Sequence, residues 1–121
     1  MSTGHDELAR RTCRACEGGV EPMKPEEIAR DLAHLPGWQV TDDGRRIRRS
    51  WNTRNFGAAM AFLNRVAELA ESEGHHPDLH LDSYRHVTIE LTTHAISGLS
   101  ENDMILAAKI DELPVELRRG G

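Results

Sequence analysis

The sequence predicts an α+β fold in which a four-stranded antiparallel sheet carries three helices on one face. Three observations predict it. Apolar residues recur every three or four positions from Phe56 to Ala70, as a single buried helix face requires. From Tyr84 to Thr93 they alternate instead, with Val87, Ile89 and Leu91 on one side and His86, Thr88 and Glu90 on the other. Between Trp38 and Trp51 a further alternating stretch is interrupted by Asp42-Asp43-Gly44, a tight-turn sequence that folds two strands back on each other.

The elements follow in chain order. Residues 1–24 contain Gly18, Gly19 and Pro22 and read as a loosely ordered arm, and residues 25–117 read as the domain. Pro25 suits the first turn of a helix, Glu26 and Glu27 complement its positive end, and Ile28, Leu32 and Leu35 form its apolar stripe. Leu35-Pro36-Gly37 stops it. After the hairpin, a second helix is expected to bury Phe56, Ala59, Met60, Leu63, Val66, Ala67 and Ala70, with Gly74 as a left-handed cap. Residues 79–82 make a short strand, followed by the longer one, which His94 is expected to end on the polar face. Ser100 caps a last helix whose inner side carries Met104, Ile105, Ala108 and Ile110 as far as Leu113-Pro114. Exposed apolar positions on the hairpin and the last helix are candidates for self-association.

A chain of 121 residues fits one domain. Fifteen Lys and Arg against 20 Asp and Glu give a net charge of -5, and only Arg45, Arg46, Arg48 and Arg49 cluster. Nucleic acid is therefore not expected as a direct partner, because backbone binding needs a concentrated basic face. The arginine group reads as the solvated side of the hairpin, with a polyanion contact as the alternative. No apolar run reaches the length of a membrane span and the first residues lack an apolar signal core, so a cytoplasmic protein is expected. Cys13 and Cys16 form a lone C-x-x-C, without the second pair of a zinc site or the strand and helix of a thioredoxin-like site. A structural role is expected for them; the alternative is a redox or metal role shared with His5 or His34.

Five of the seven histidines fall between residues 71 and 94. They admit three readings: a metal site, an acid–base site, or a histidine-rich polar face. His75 and His76 are adjacent and point apart in an extended segment, and no pair has helical metal-ligand spacing, so no metal is expected. An imidazole with an ordinary pKa of ~6.5 can give or take a proton at neutral pH. His75, His76 and His94 beside carboxylates such as Glu71 and Asp103 would suit a reaction that moves protons and breaks a carbon–oxygen bond. The plainer alternative keeps the histidines as solvated or structural groups, Glu71 as a surface carboxylate, and Asp103 as the third residue of a Ser100 capping box.

The ordered series "LPGW" (35–38), "FLNRVAELAE" (62–71), "GHHPD" (74–78), Tyr84, "VTIELTTH" (87–94) and "GLSENDMILAAKID" (98–111) resembles the pterin-4a-carbinolamine dehydratase family, and "CRACEGGVEP" resembles the lead-in of bacterial members. The resemblance spans roughly residues 25–112. It implies dehydration of 4a-hydroxytetrahydropterin (4a-hydroxytetrahydrobiopterin) to quinonoid dihydropterin and water, in the recycling of the tetrahydropterin used by aromatic amino acid hydroxylases. It also implies no metal or organic cofactor, and assembly as a homodimer or homotetramer.

Residue by residue, the resemblance makes His75 and His94 general acids toward the 4a-hydroxyl and His76 the histidine that binds and orients the ring. It puts Glu71 and Asp103 at acidic positions that hold or tune the histidines. The pterin edge is expected against Gly74, Pro77, Thr92, Thr93 and Ala95. The same family includes members that act as dimerisation cofactors of a homeodomain transcription factor or as assembly factors for a carbon-fixing enzyme. A non-catalytic binding module is therefore the alternative function.

Overall fold

The computed structural model describes residues 3–13 and 21–119. Helix α1 (Thr3–Arg10) is followed by α2 (Pro25–Leu32), β1 (Gln39–Val40), β2 (Ile47–Asn52), α3 (Phe56–Glu73), β3 (Asp78–Asp82), β4 (His86–Leu91) and α4 (Glu101–Asp111). The strands form one antiparallel sheet in the order β1-β2-β4-β3, so β4 is paired on both sides. Alternation then sorts the side chains. Ile47, Val87, Ile89 and Leu91 are fully buried beneath the helices, while Arg48, Ser50, His80 and His86 lie on the open face. Trp51 bridges to the helical layer through edge contacts with Phe62 (5.0 Å) and Trp38 (5.8 Å). Among the described residues no helix is long and apolar enough to cross a membrane.

The α+β class holds, with four α-helices among the described residues where three were expected. The region expected to be a loose arm contains α1, which packs against α4 and buries Leu8. An Arg11–Glu7 pair at 2.6 Å spans one helical turn at its end. Gly18 and Gly19, and Cys16 with its share of the C-x-x-C, lie outside the described residues. Covering by α1 also explains why Met104 to Ala108 of α4 are buried without interruption. The last helix therefore offers no exposed apolar face.

Helix α3 is rotated from its expected face. It buries Ala58, Ala59, Phe62, Val66 and Ala70, whereas Phe56, Met60 and Ala67 are exposed and Leu63 is half-buried. Its apolar residues cover more than one stripe. The row containing Phe62, which meets Trp51, is the one that fills the layer. Its ends match expectation more closely. Asn55 Oδ1 accepts the Ala58 N–H at 2.8 Å, and Gly74 (φ 66°) takes the left-handed cap that a side chain would resist.

Strand β4 stops at Leu91, so His94 does not end a strand but opens a short 3₁₀ turn, His94–Ile96. The chain bends inward first: Thr92 and Thr93 are buried, and Thr93 pairs with Gly98 to close the turn.

Candidate active site

Strand register alone assembles the site. Asp78 lies opposite Glu90, so the residues preceding β3 run beside those following β4. His75 and His76 leave the Gly74 cap there, alongside Thr92 and Thr93. On the other side of β4, Ile47 lies opposite Leu91, which brings Arg45 and Arg46 of the hairpin next to the same two threonines. His94 follows directly. One end of β4 is thus flanked by a histidine pair, by hairpin arginines and by a third histidine.

The firmest contact is between His75 and Asp103. His75 Nε2 stands 2.6 Å from Asp103 Oδ1, and the aspartate has no exposed surface. Asp103 Oδ2 accepts the Thr93 hydroxyl (2.8 Å) and the Ser100 N–H (3.0 Å). The Ser100 hydroxyl in turn lies 2.7 Å from Thr93 Oγ1. A buried carboxylate is costly unless its lone pairs are engaged, and here they are. Asp103 is therefore both the capping-box residue foreseen from sequence and the partner of a site histidine. With Nε2 fixed, Nδ1 is the ring nitrogen of His75 that has no partner among the described residues.

The other members are more open. His76 Nε2 meets Glu71 Oε1 at 2.9 Å, but both side chains are well exposed (62% and 77%), which leaves the ring free to move. His94 and Ala95 are exposed in the 3₁₀ turn, and Pro77 is half-buried at the entry to β3. His94 lines a cleft of about 210 Å³ together with Asp43, Arg45, Arg46, Thr92 and Ser97. Thr92 Oγ1 donates to the Arg45 carbonyl at 2.6 Å and so ties the hairpin tip to the site. His80 and His86 stand apart on the open sheet face, where the polar-strand reading fits them.

Several supporting residues were not singled out in the sequence. Glu73, nearly buried at the end of α3, accepts the Cys13 N–H (2.9 Å) and Lys109 Nζ (2.8 Å). Burial alone would push its carboxyl up, yet the Cys13 and Lys109 hydrogen bonds and the lysine charge hold it below the ordinary value. Burial, then Glu73, pushes the Cys13 thiol up to about 12, which leaves it protonated and inert at neutral pH. No sequence signal marks this cluster, since Glu73 reads there as one of several glutamates near the end of α3. Among the described residues the one grouping with metal-ligand proximity is His5, Asp6 and Glu112, which includes none of the clustered histidines.

The sequence pattern of the pterin 4 alpha carbinolamine dehydratase family matches residues 21–113. A Rubrobacter xylanophilus protein provisionally named pterin-4-alpha-carbinolamine dehydratase is 48% identical over 107 residues, covering 88% of this chain and 98% of its own. The crystal structure of a transcriptional coactivator/pterin dehydratase from Brucella melitensis superposes with a TM-score of 0.71 at 32% identity, over 75% of this chain and 96% of that one. A pterin dehydratase-like protein identified as a RuBisCO assembly factor of the alpha-carboxysome shares the fold, with a TM-score of 0.53 at 22% identity over 62% and 86% of the two chains. The histidine-bearing end of β4 thus lies inside the matched region, and the chain belongs to the pterin 4 alpha carbinolamine dehydratase family.

Proposed function

We propose that the protein dehydrates 4a-hydroxytetrahydropterin to quinonoid dihydropterin. The C4a–O bond breaks with its electron pair on oxygen, and a protonated imidazole delivers the proton that makes the leaving group water. The N5 lone pair forms the C4a=N5 bond, and the N5 proton passes to water or a neutral imidazole. His75 and His94 are assigned as the acids, one on each face of the pterin, and His76, with Glu71, as the group that orients the ring. Backbone at Gly74 and Pro77 and at Thr92, Thr93 and Ala95 is assigned to the pterin edge. Protonating the leaving oxygen in this way is worth ~100- to 10,000-fold, so the reaction needs no metal or organic cofactor.

The observation that carries this assignment is the His75–Asp103 contact within a fully engaged buried network. A solvated histidine would not need such a partner, whereas an acid that must meet substrate in one orientation does. The assignment extends to tetrahydropterin recycling after an aromatic amino acid hydroxylase, in the cytoplasm, by a homodimer or homotetramer.

The test is the rate at which purified protein consumes freshly generated 4a-hydroxytetrahydropterin, followed by ultraviolet absorbance, against a His75→Ala/His94→Ala variant. Rapid turnover that the double variant loses is the expected result. No acceleration over the spontaneous reaction would favour the second reading, a binding or assembly module. The Brucella melitensis protein, described as a transcriptional coactivator as well as a pterin dehydratase, supports that alternative.

A further inference from the structure

The four clustered arginines do not share one role. Arg46 Nη1 pairs with Asp78 (2.6 Å) and approaches Glu90 (3.5 Å), and Arg48 pairs with Glu90 (2.6 Å). Arg49 binds Asp111 (2.9 Å) and the Pro36 carbonyl (3.3 Å) and lies over the Trp51 ring. Arg45 alone of the four has a guanidinium with no partner among the described residues, and it lines the cleft beside His94. Facing the same cleft is Asp43, whose Oδ1 accepts the Thr41 hydroxyl (2.7 Å) and the Arg45 N–H (3.0 Å). Its Oδ2 has no partner among the described residues. Ser97, exposed and held at φ 52°, adds a hydroxyl.

We infer that Asp43 and Arg45, at the tip of the β1–β2 hairpin, form a subsite for a polyhydroxylated substituent at C6 of the pterin. This subsite rests on the dehydratase reading, which sets the 4a-hydroxyl at His94. Only N5 separates C4a from C6, so a C6 substituent begins next to the reacting carbon and extends into the cleft that His94 lines. The cleft, about 210 Å³, has room for a three-carbon chain. Its chemistry selects the substituent. Vicinal hydroxyls both donate and accept, and they meet a carboxylate acceptor and a guanidinium donor side by side. A phosphate or carboxylate tail would gain Arg45 but face Asp43, held ionised by its hydrogen bonds. An alkyl substituent would satisfy neither group.

The test separates side-chain recognition from turnover. Binding of 6-(1,2-dihydroxypropyl)-7,8-dihydropterin and of 6-methyl-7,8-dihydropterin is titrated by fluorescence for the unmodified protein, Arg45→Ala and Asp43→Asn. The asparagine keeps the turn's acceptor oxygen. The diol ligand is expected to bind about tenfold tighter than the methyl ligand, as one charge-assisted hydrogen bond provides, and each variant should bring the ratio toward one. Equal binding of both ligands by the unmodified protein, or a preference that survives both substitutions, overturns the subsite. Turnover of the two corresponding 4a-hydroxytetrahydropterins is measured in parallel. Turnover without side-chain preference removes the subsite and keeps the dehydratase. Preference in binding without turnover upholds the subsite and removes the dehydratase.

Discussion

Oδ1 of Asp103 holds Nε2 of His75 at 2.6 Å while Oδ2 of the same carboxylate caps α4 through the Ser100 N–H. One buried group thus starts a helix and orients a ring. Because the two jobs use different oxygens, they come apart on substitution. Asp103→Asn keeps an acceptor for the cap, so it should fold while losing at least tenfold in turnover, because the ring of His75 is no longer held by a carboxylate. Asp103→Ala should also lose about 1–3 kcal/mol of stability, since the Thr93 hydroxyl and the cap N–H are left unmet. Unaltered turnover in Asp103→Asn would reduce the residue to a cap.

His75 and His94 reach the site from different segments, so they should serve different faces of the pterin. His75→Ala is expected to slow one C4a epimer more than the other, and His94→Ala to show the opposite bias. Separate assays on the two epimers check this, and small equal losses on both would defeat the assignment.

The His76–Glu71 pair is exposed on both sides, and such a pair contributes no more than about 1 kcal/mol. His76→Ala should therefore leave the melting temperature almost unchanged. Its effect is expected in a raised KM with kcat largely retained, the pattern of lost ring binding. An unchanged KM would remove His76 from the pterin site.

The parts of this fold that were legible in sequence are those where local chemistry decides. Gly74 as a left-handed cap, Asp42-Asp43-Gly44 as a turn, the alternation of Val87, Ile89 and Leu91, and Ser100 with Asp103 at the start of α4 each need only a few neighbouring residues. What failed depended on distant partners. Phe56 and Met60 share helical spacing with the buried row of α3, and only the position of Trp51 selects Phe62 over them. Helix α1 is short and polar, and without α4 to lie on it has little reason to form. The site shows the same division. The clustered histidines stood out by type, and the family resemblance singled out His75, His76, His94 and Asp103, whereas Arg45 became distinct only once Arg46, Arg48 and Arg49 were seen to be paired.

The rotation of α3 has a direct energetic consequence. Phe62 is fully buried against Trp51, so Phe62→Ala should cost about 3–5 kcal/mol through lost burial and an unfilled cavity. Phe56 is 54% exposed, and Phe56→Ala should cost under about 1 kcal/mol. Urea unfolding of the two variants measures the difference. Comparable losses would return Phe56 to the core and restore the face expected from sequence spacing.

Glu73 gives the fold a defined acid dependence. Its carboxyl lies below the ordinary 4.5 when folded, because the Cys13 N–H and Lys109 outweigh the opposing effect of burial. Between the folded and ordinary values the unfolded chain binds more protons than the folded one, so stability falls as pH falls. The Glu73 contribution is therefore fully present above the ordinary carboxylate value and is lost as pH drops through the folded one. Glu73→Gln removes that titration and leaves Lys109 without its partner, at a cost of about 1–3 kcal/mol near neutral pH. Urea unfolding of the unmodified protein and the variant over a series of acid pH values should show a gap that is constant near neutrality. That gap should narrow below the ordinary carboxylate pKa; a gap that persists unchanged into strong acid would mean that the ionisation of Glu73 does not carry it.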